Sequence, residues 1–148
     1  MNEYATSQKV KALKTYDEDF EFYPTTAEIM EAMKNDLMKY LRSHANDYDS
    51  GKRGTFEIQT SYDRAFNKGK KTETLRIGSF LDIGSGDGRV LDMFEADKKY
   101  GIEIARAQAD DLIRKGVFLI GRDFWDVTLI DQHYSLVYSN PPFSQFET

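Results

Sequence analysis

Short apolar runs alternate with amphipathic segments through the second half of the chain. The apolar runs predict four strands, over residues 80–83, 100–104, 117–120 and 135–139. Between them, apolar residues recur at helical spacing, which predicts helices over 89–94 and 105–115. Buried strands that alternate with helices are typical of a parallel sheet with helices on both faces. The pattern therefore predicts an α/β fold.

The first half of the chain is more polar and contains one clear amphipathic helix. Thr25 and Glu28 have the spacing of a capping box at its start. Apolar residues then recur at helical spacing and predict a face packed in the core: Ile29, Met30, Met33, Leu37 and Leu41. We expect residues 1–21 to form a solvated arm and residues 42–75 a polar insertion, with one strand-like run at 55–58.

Composition narrows the class of protein. The chain has 148 residues, which predicts one domain at most or part of one, and 40% of them are hydrophobic, enough for a packed core. No apolar run approaches the ~20 residues of a membrane span and the N-terminus is no signal peptide, so we expect a cytoplasmic location and no membrane partner. The absence of cysteine excludes disulfides and thiol catalysis, and two histidines argue against a metal site. The net charge of -5 argues against a stand-alone nucleic-acid binder but leaves room for a local basic groove.

A glycine-rich loop follows the first predicted strand of the regular half. Asp82 ends the apolar run, and glycines follow at positions 84, 86 and 88, directly before a helix. Glycines let a ligand approach the backbone closely, and the first N–H groups of a helix point toward the same place. The context predicts a nucleotide-like ligand, with a purely structural turn as the alternative.

Two further acidic residues follow strands and are candidates for the same ligand. Glu103 lies near the end of the second strand, where a carboxylate can accept hydrogen bonds from both ribose hydroxyls of a nucleoside. Asp123 follows the third strand and could accept from an adenine amino group, with Phe124 or Trp125 over the ring. Acids at strand ends are also common without a ligand, and aromatic residues there are often part of the core.

The fourth strand is followed by Asn140-Pro141-Pro142-Phe143. Two successive prolines can continue neither a strand nor a helix, which predicts a rigid loop. Asn140 would then project from a fixed backbone, and Phe143 would add a flat apolar surface. This set suits a planar substrate with an amino group, although a structural turn is the alternative.

Taken in order, these motifs resemble those of class I S-adenosylmethionine-dependent methyltransferases. The segments that carry the resemblance are Phe-Tyr-Pro-Thr, Leu-Asp-Ile-Gly-Ser-Gly-Asp-Gly, Gly-Ile-Glu, Gly-Arg-Asp-Phe and Asn-Pro-Pro-Phe. They are most similar to the enzymes that methylate the N6 amino group of adenine in DNA or RNA. The resemblance covers about residues 22–148 and implies a Rossmann-like fold.

The resemblance implies S-adenosylmethionine as cofactor and assigns residues to it. Those that would hold its methionine part belong to the glycine loop: Asp82, Gly84, Gly86 and Gly88. Glu103 would bind the ribose, and Asp123 the adenine amino group, with Phe124 beside the ring. Pro24 and Thr25 match a segment that closes over the cofactor from the N-terminal side.

The resemblance also implies how the target amino group is held. Asn140 and the carbonyl of Pro141 would accept hydrogen bonds from it, while Pro142 keeps the loop rigid and Phe143 stacks on the base. Those acceptors would draw the nitrogen out of conjugation and free its lone pair for attack on a methyl group. A base within a duplex would first have to be flipped out.

Several alternatives stay open from the sequence. DNA is favoured over RNA because Phe-Tyr-Pro-Thr precedes the glycine loop, an order found in adenine-specific DNA enzymes. A protein glutamine is another amino-group target, and a non-catalytic protein that binds a partner chain or nucleic acid is the competing class. The family has three further strands after the Asn-Pro-Pro-Phe loop. We therefore expect a fragment, a half that needs a partner chain over the fourth strand, or a remnant.

Overall fold

The computed structural model describes residues 24–44, 56–63, 70–130 and 133–140, together with two isolated positions nearer the N-terminus. The predicted arm over residues 1–21 lies outside the described residues, apart from those two positions. Within the described ranges, no helix is both long enough and apolar enough to cross a membrane.

The described chain contains three helices and five strands. In chain order they are α1 (Ala27–Ser43), β1 (Phe56–Asp63), β2 (Lys70–Ile83), α2 (Arg89–Met93), β3 (Glu95–Ile102), α3 (Arg106–Arg114), β4 (Phe118–Gly121) and β5 (Leu136–Ser139). The four strands and two helices predicted in the second half are confirmed, with shifted ends. The largest shift is in β2, which begins ten residues before the predicted start at Phe80 because its polar first residues pair with β1. β3 begins five residues before the predicted start at Tyr100 because its polar first residues pair with β2.

The five strands form one open, mixed sheet, compatible with a Rossmann-like fold. β2 pairs in parallel with β3 and β5, and β3 pairs in parallel with β4. β1, however, runs antiparallel to β2, with Phe56 opposite Ile77. The expectation of a purely parallel sheet is therefore wrong, because part of the expected insertion at 42–75 supplies β1 and the first half of β2. There, Leu75 and Ile77 are buried while Arg76 is exposed, as in a strand with one covered face.

The start of α1 lies one residue later than predicted. Thr26, not Thr25, is the N-cap, and its side chain accepts a hydrogen bond from the Ile29 backbone N–H. Thr25 is instead buried. The apolar face of α1 is partly as expected, since Leu41 is buried, but Ile29 is 52% exposed.

The core surrounds β2. Phe80, Leu81 and Asp82 are each at most 2% exposed, and because successive side chains leave a strand on opposite faces, both faces of β2 are covered here. One cluster joins the sheet to all three helices: Met38, Leu41, Leu75, Ile77, Phe80, Val90, Leu91, Phe94, Leu112 and Val117.

The strand order reverses beside β2, and the carboxyl edge of the sheet at this reversal is called the crevice below. From β2 the chain proceeds through β3 to β4 on one side, then returns to β5 on the other side of β2. The order of the strands therefore reverses between β2 and β5. Open α/β sheets bind ligands at such a reversal, outside the carboxyl ends of the strands.

Candidate functional site

The glycine loop after β2 is anchored to the end of β3. The backbone N–H groups of Gly84 and Ser85 both donate to the carbonyl of Ile102, at 2.9 and 3.0 Å. The Ser85 hydroxyl donates back to the carbonyl of Asp82 at 2.7 Å. These bonds fix the loop at the carboxyl edge of the sheet.

The three glycines of the loop have positive φ angles but different surroundings. A Cβ on Gly88 would lie 2.8 Å from Cδ2 of Leu112, so this glycine allows α3 to pack against the loop. A Cβ on Gly84 would have no atom of the described part of the chain within 4 Å. Gly86 is buried. Gly84 is therefore the glycine whose open side best suits an approaching ligand, while Gly88 supports the packing of the loop.

Glu103 organises the glycine loop through both of its carboxylate oxygens. Oε2 accepts from the Gly86 N–H at 2.6 Å, and Oε1 accepts from the Ala105 N–H at 2.8 Å. Burial raises the pKa of Glu103, and these backbone hydrogen bonds oppose that rise. Each oxygen keeps a further lone pair. Ribose binding by Glu103 remains a prediction.

Asp82 is a buried carboxylate at the carboxyl end of β2. It is 2% exposed, and among the described residues its Oδ1 atom has no hydrogen-bond partner. Burial raises the pKa of Asp82 to about 7, and the charges of Glu103 and Asp87 add to the rise. A buried acceptor without a donor is costly, so this oxygen suits a ligand that brings a donor or a positive charge.

Arg89, at the start of α2, connects the loop to the segment before α1. Its Nε and Nη2 atoms donate to the two carboxylate oxygens of Asp87, at 2.9 and 2.8 Å. Its Nη1 atom donates to the carbonyl of Thr25 at 3.5 Å. Arg89 was not predicted as a site residue, although its position two residues after Asp87 would have suggested an ion pair within the loop.

Thr25 also contacts the end of β5. Its Oγ1 atom lies 3.0 Å from the Tyr138 hydroxyl oxygen, and Nδ2 of Asn140 donates to Oγ1 at 3.4 Å. Pro24 precedes it and is half-buried. Tyr138 was not predicted as a site residue, because it lies within a run of residues typical of a strand. The structure thus brings the Pro24-Thr25 segment, the glycine loop and Asn140 together.

The segment after β4 forms a short helical turn, Phe124–Asp126. Asp123 caps it by accepting from the Trp125 N–H at 3.0 Å. The rings of Phe124 and Trp125 are exposed by 41% and 86%, with centroids 5.8 Å apart. Neither ring is core, so both are accessible to a ligand. The predicted adenine contacts of Asp123 and Phe124 remain predictions.

Arg122 ties this segment to the end of β3. Its Nε atom donates to the carbonyl of Glu103 at 2.9 Å, and Nη2 donates to the carbonyl of Ile104. Sequence reasoning quoted Arg122 within a motif but gave it no role. Pro141, Pro142 and Phe143 lie outside the described residues.

A separate groove of about 700 Å³ lies at the amino end of β3. Its charged lining is of mixed sign, and there the Arg76 Nη2 and Asp97 Oδ1 atoms pair at 2.5 Å. None of the sequence motifs reaches it. The crevice at the carboxyl edge is therefore the candidate functional site.

Comparison of the chain with models of protein families, with curated proteins and with solved structures finds no match in any of the three.

Proposed function

We propose that this chain belongs to an S-adenosylmethionine-dependent methyltransferase that acts on the N6 amino group of adenine, with DNA favoured over RNA. The observation that carries the proposal is the hydrogen-bonded connection from Asp87 through Arg89 and Thr25 to Asn140. It joins the nucleotide-type loop to a side-chain amide that directly follows the neighbouring strand β5.

The crevice has the chemistry that this cofactor requires. S-adenosylmethionine carries a positive sulfonium and, in its methionine part, an ammonium group. The Oδ1 atom of Asp82, which has no hydrogen-bond partner among the described residues, and the open side of Gly84 suit the methionine part. The remaining lone pairs of Glu103 suit two ribose hydroxyls. The cofactor would supply an electrophilic methyl group.

The protein's own contribution would be to bind and orient the target amino group. The amide oxygen of Asn140 would accept a hydrogen bond from N6, which draws the nitrogen lone pair out of the ring system. Holding the nitrogen in line with the methyl group supplies much of the rate, because the reaction becomes effectively unimolecular. No strong general base is needed for this role.

Binding and methyl transfer test the proposal in two steps. Calorimetry should detect S-adenosylmethionine binding to the wild-type chain, and Asp82→Asn should weaken it at least tenfold. With radiolabelled cofactor, adenine-containing DNA strands should accept label, and mass spectrometry should identify N6-methyladenine. RNA strands of the same sequence form the second arm, and more label in RNA would reverse the assigned substrate.

Asn140→Ala should lower methyl transfer by at least 10³-fold while leaving the cofactor Kd within about twofold. Asn35→Ala, on the exposed face of α1, is the matched control. Undiminished transfer in Asn140→Ala would overturn the proposed mechanism. Absence of cofactor binding by the wild-type chain would overturn the proposed function in favour of a non-catalytic binding protein.

A further inference from the structure

Thr25 contacts two side chains at the end of β5. Tyr138 lies in the strand and Asn140 directly follows it. Thr25, 6% exposed, contacts both through its single hydroxyl oxygen. Its carbonyl is held by Arg89, and the next residue caps α1. The hydroxyl is thus placed by a fixed backbone.

The hydrogen-bonding capacity of this hydroxyl matters for the amide of Asn140. A threonine hydroxyl has one proton and two lone pairs. When its proton is donated to the Tyr138 oxygen, only lone pairs remain for Asn140, and these accept from an NH₂ group. Either hydroxyl can be the donor between Thr25 and Tyr138. When Thr25 donates, a reversed amide would place its oxygen against the Thr25 oxygen, where two acceptors repel. In the structure the NH₂ group of Asn140 faces Thr25 and donates to it.

We propose that Thr25 and Tyr138 are positioning residues that set the orientation of the Asn140 amide, so that its oxygen is directed to the substrate. This inference rests on the proposed function and reassigns Thr25, which the sequence resemblance gives to the cofactor. With Nδ2 held by Thr25, Oδ1 lies on the other side of the planar amide. An amino-group substrate needs that acceptor, because the reversed amide would present donors to another donor.

Three substitutions separate positioning from cofactor binding. Thr25→Val keeps the shape and removes the hydroxyl, Thr25→Ser keeps the hydroxyl, and Tyr138→Phe removes only the partner oxygen. Thr25→Val should lower kcat by about 10- to 100-fold while the cofactor Kd stays within about twofold. Thr25→Ser should retain kcat within about threefold, and Tyr138→Phe should fall between the two. A Thr25→Val protein with normal kcat and a Kd raised at least tenfold would overturn the proposal and identify Thr25 as a cofactor ligand.

A measurement without turnover tests the same contact. The side-chain ¹⁵NH₂ signals of Asn140 can be identified in the full chain by their loss in Asn140→Asp. They should shift in Thr25→Val and Tyr138→Phe and keep their positions in Thr25→Ser. Unchanged signals in both hydroxyl-deficient variants would overturn the proposal.

The two readouts also separate this inference from the proposed function. If the wild-type chain transfers no methyl group to any nucleic acid, the proposed function fails. The NMR signals then decide the orientation of Asn140 on their own.

Discussion

The protonation of Asp82 links the candidate site to pH. In an unfolded chain an aspartate titrates near pH 3.9, whereas in the folded protein its pKa is about 7. Folding therefore takes up a proton between about pH 4 and 7, so the free energy of unfolding decreases as the pH rises through that range. The full difference corresponds to about 4 kcal/mol.

Asp82→Asn should flatten this decrease and make the protein more stable than the wild type above pH 7. Urea unfolding between pH 4 and 8 measures it, with Asp110→Asn on the exposed side of α3 as the matched control. Part of the decrease should persist, because burial also raises the pKa of Glu103. An Asp82→Asn protein with the pH dependence of the wild type would contradict the prediction.

Individual residues also mark where prediction from sequence reached its limit. The acidic and glycine positions of the loop were found because strand, turn and helix follow one another directly in the chain. That Thr26 and not Thr25 caps α1 could not be predicted, since either threonine fits the pattern of a helix cap. The burial of Thr25 depends on Tyr138, 113 positions later. No local pattern contains that contact.

Among the secondary-structure elements, α2 is short and its position depends on its first residue. The Arg89 guanidinium and the Asp87 carboxylate form an ion pair whose side chains are only 12% and 4% exposed. Removing one partner of a buried pair typically costs about 3–5 kcal/mol, because a charge is left in a poorly solvated place. We expect Arg89→Met to destabilise the fold by an amount in this range.

The ion pair between Arg114 and Asp111 on α3 is a natural control, with side chains 70% and 51% exposed. Exposed pairs contribute about 0–1 kcal/mol, so Arg114→Met should change the stability little. Chemical unfolding of both variants gives the comparison, and equal losses would show that the burial of Arg89 has no special effect. If the Asn140 ¹⁵NH₂ signals shift in Arg89→Met but not in Arg114→Met, the contact between Arg89 and Thr25 also affects the position of Asn140.

The order of elements was more predictable than the way the strands pair. Alternating apolar runs and helices indicated β2 to β5 because buried parallel strands are apolar along their length. β1 was recognised only as a strand-like run, and the first half of β2 was taken for an insertion. Polar residues on the exposed face of an antiparallel pair resemble those of a loop. Their pairing becomes evident only once Phe56 is seen opposite Ile77.

At the scale of the whole molecule, binding of the proposed cofactor should appear as added stability. A ligand that binds only the folded state adds about 2.7 kcal/mol when its free concentration is 100 times Kd. Thermal unfolding should therefore shift upward with S-adenosylmethionine in the wild type and equally in Asn140→Ala. Asp82→Asn should show a smaller shift at the same concentration. An unshifted transition in the wild type at millimolar cofactor would contradict the prediction.

The hydrogen bond between Thr25 and Asn140 spans 115 positions of the chain. The pairing of β1 with β2 closes a short loop, whereas this contact closes a much longer one, and loop closure costs more entropy as the loop lengthens. Short-range pairings generally form quickly, and long-range ones limit the folding rate. We therefore expect the β1–β2 pair to form first and the crevice to form last. During synthesis the glycine loop would therefore be complete well before Asn140 could join Thr25 and form the site.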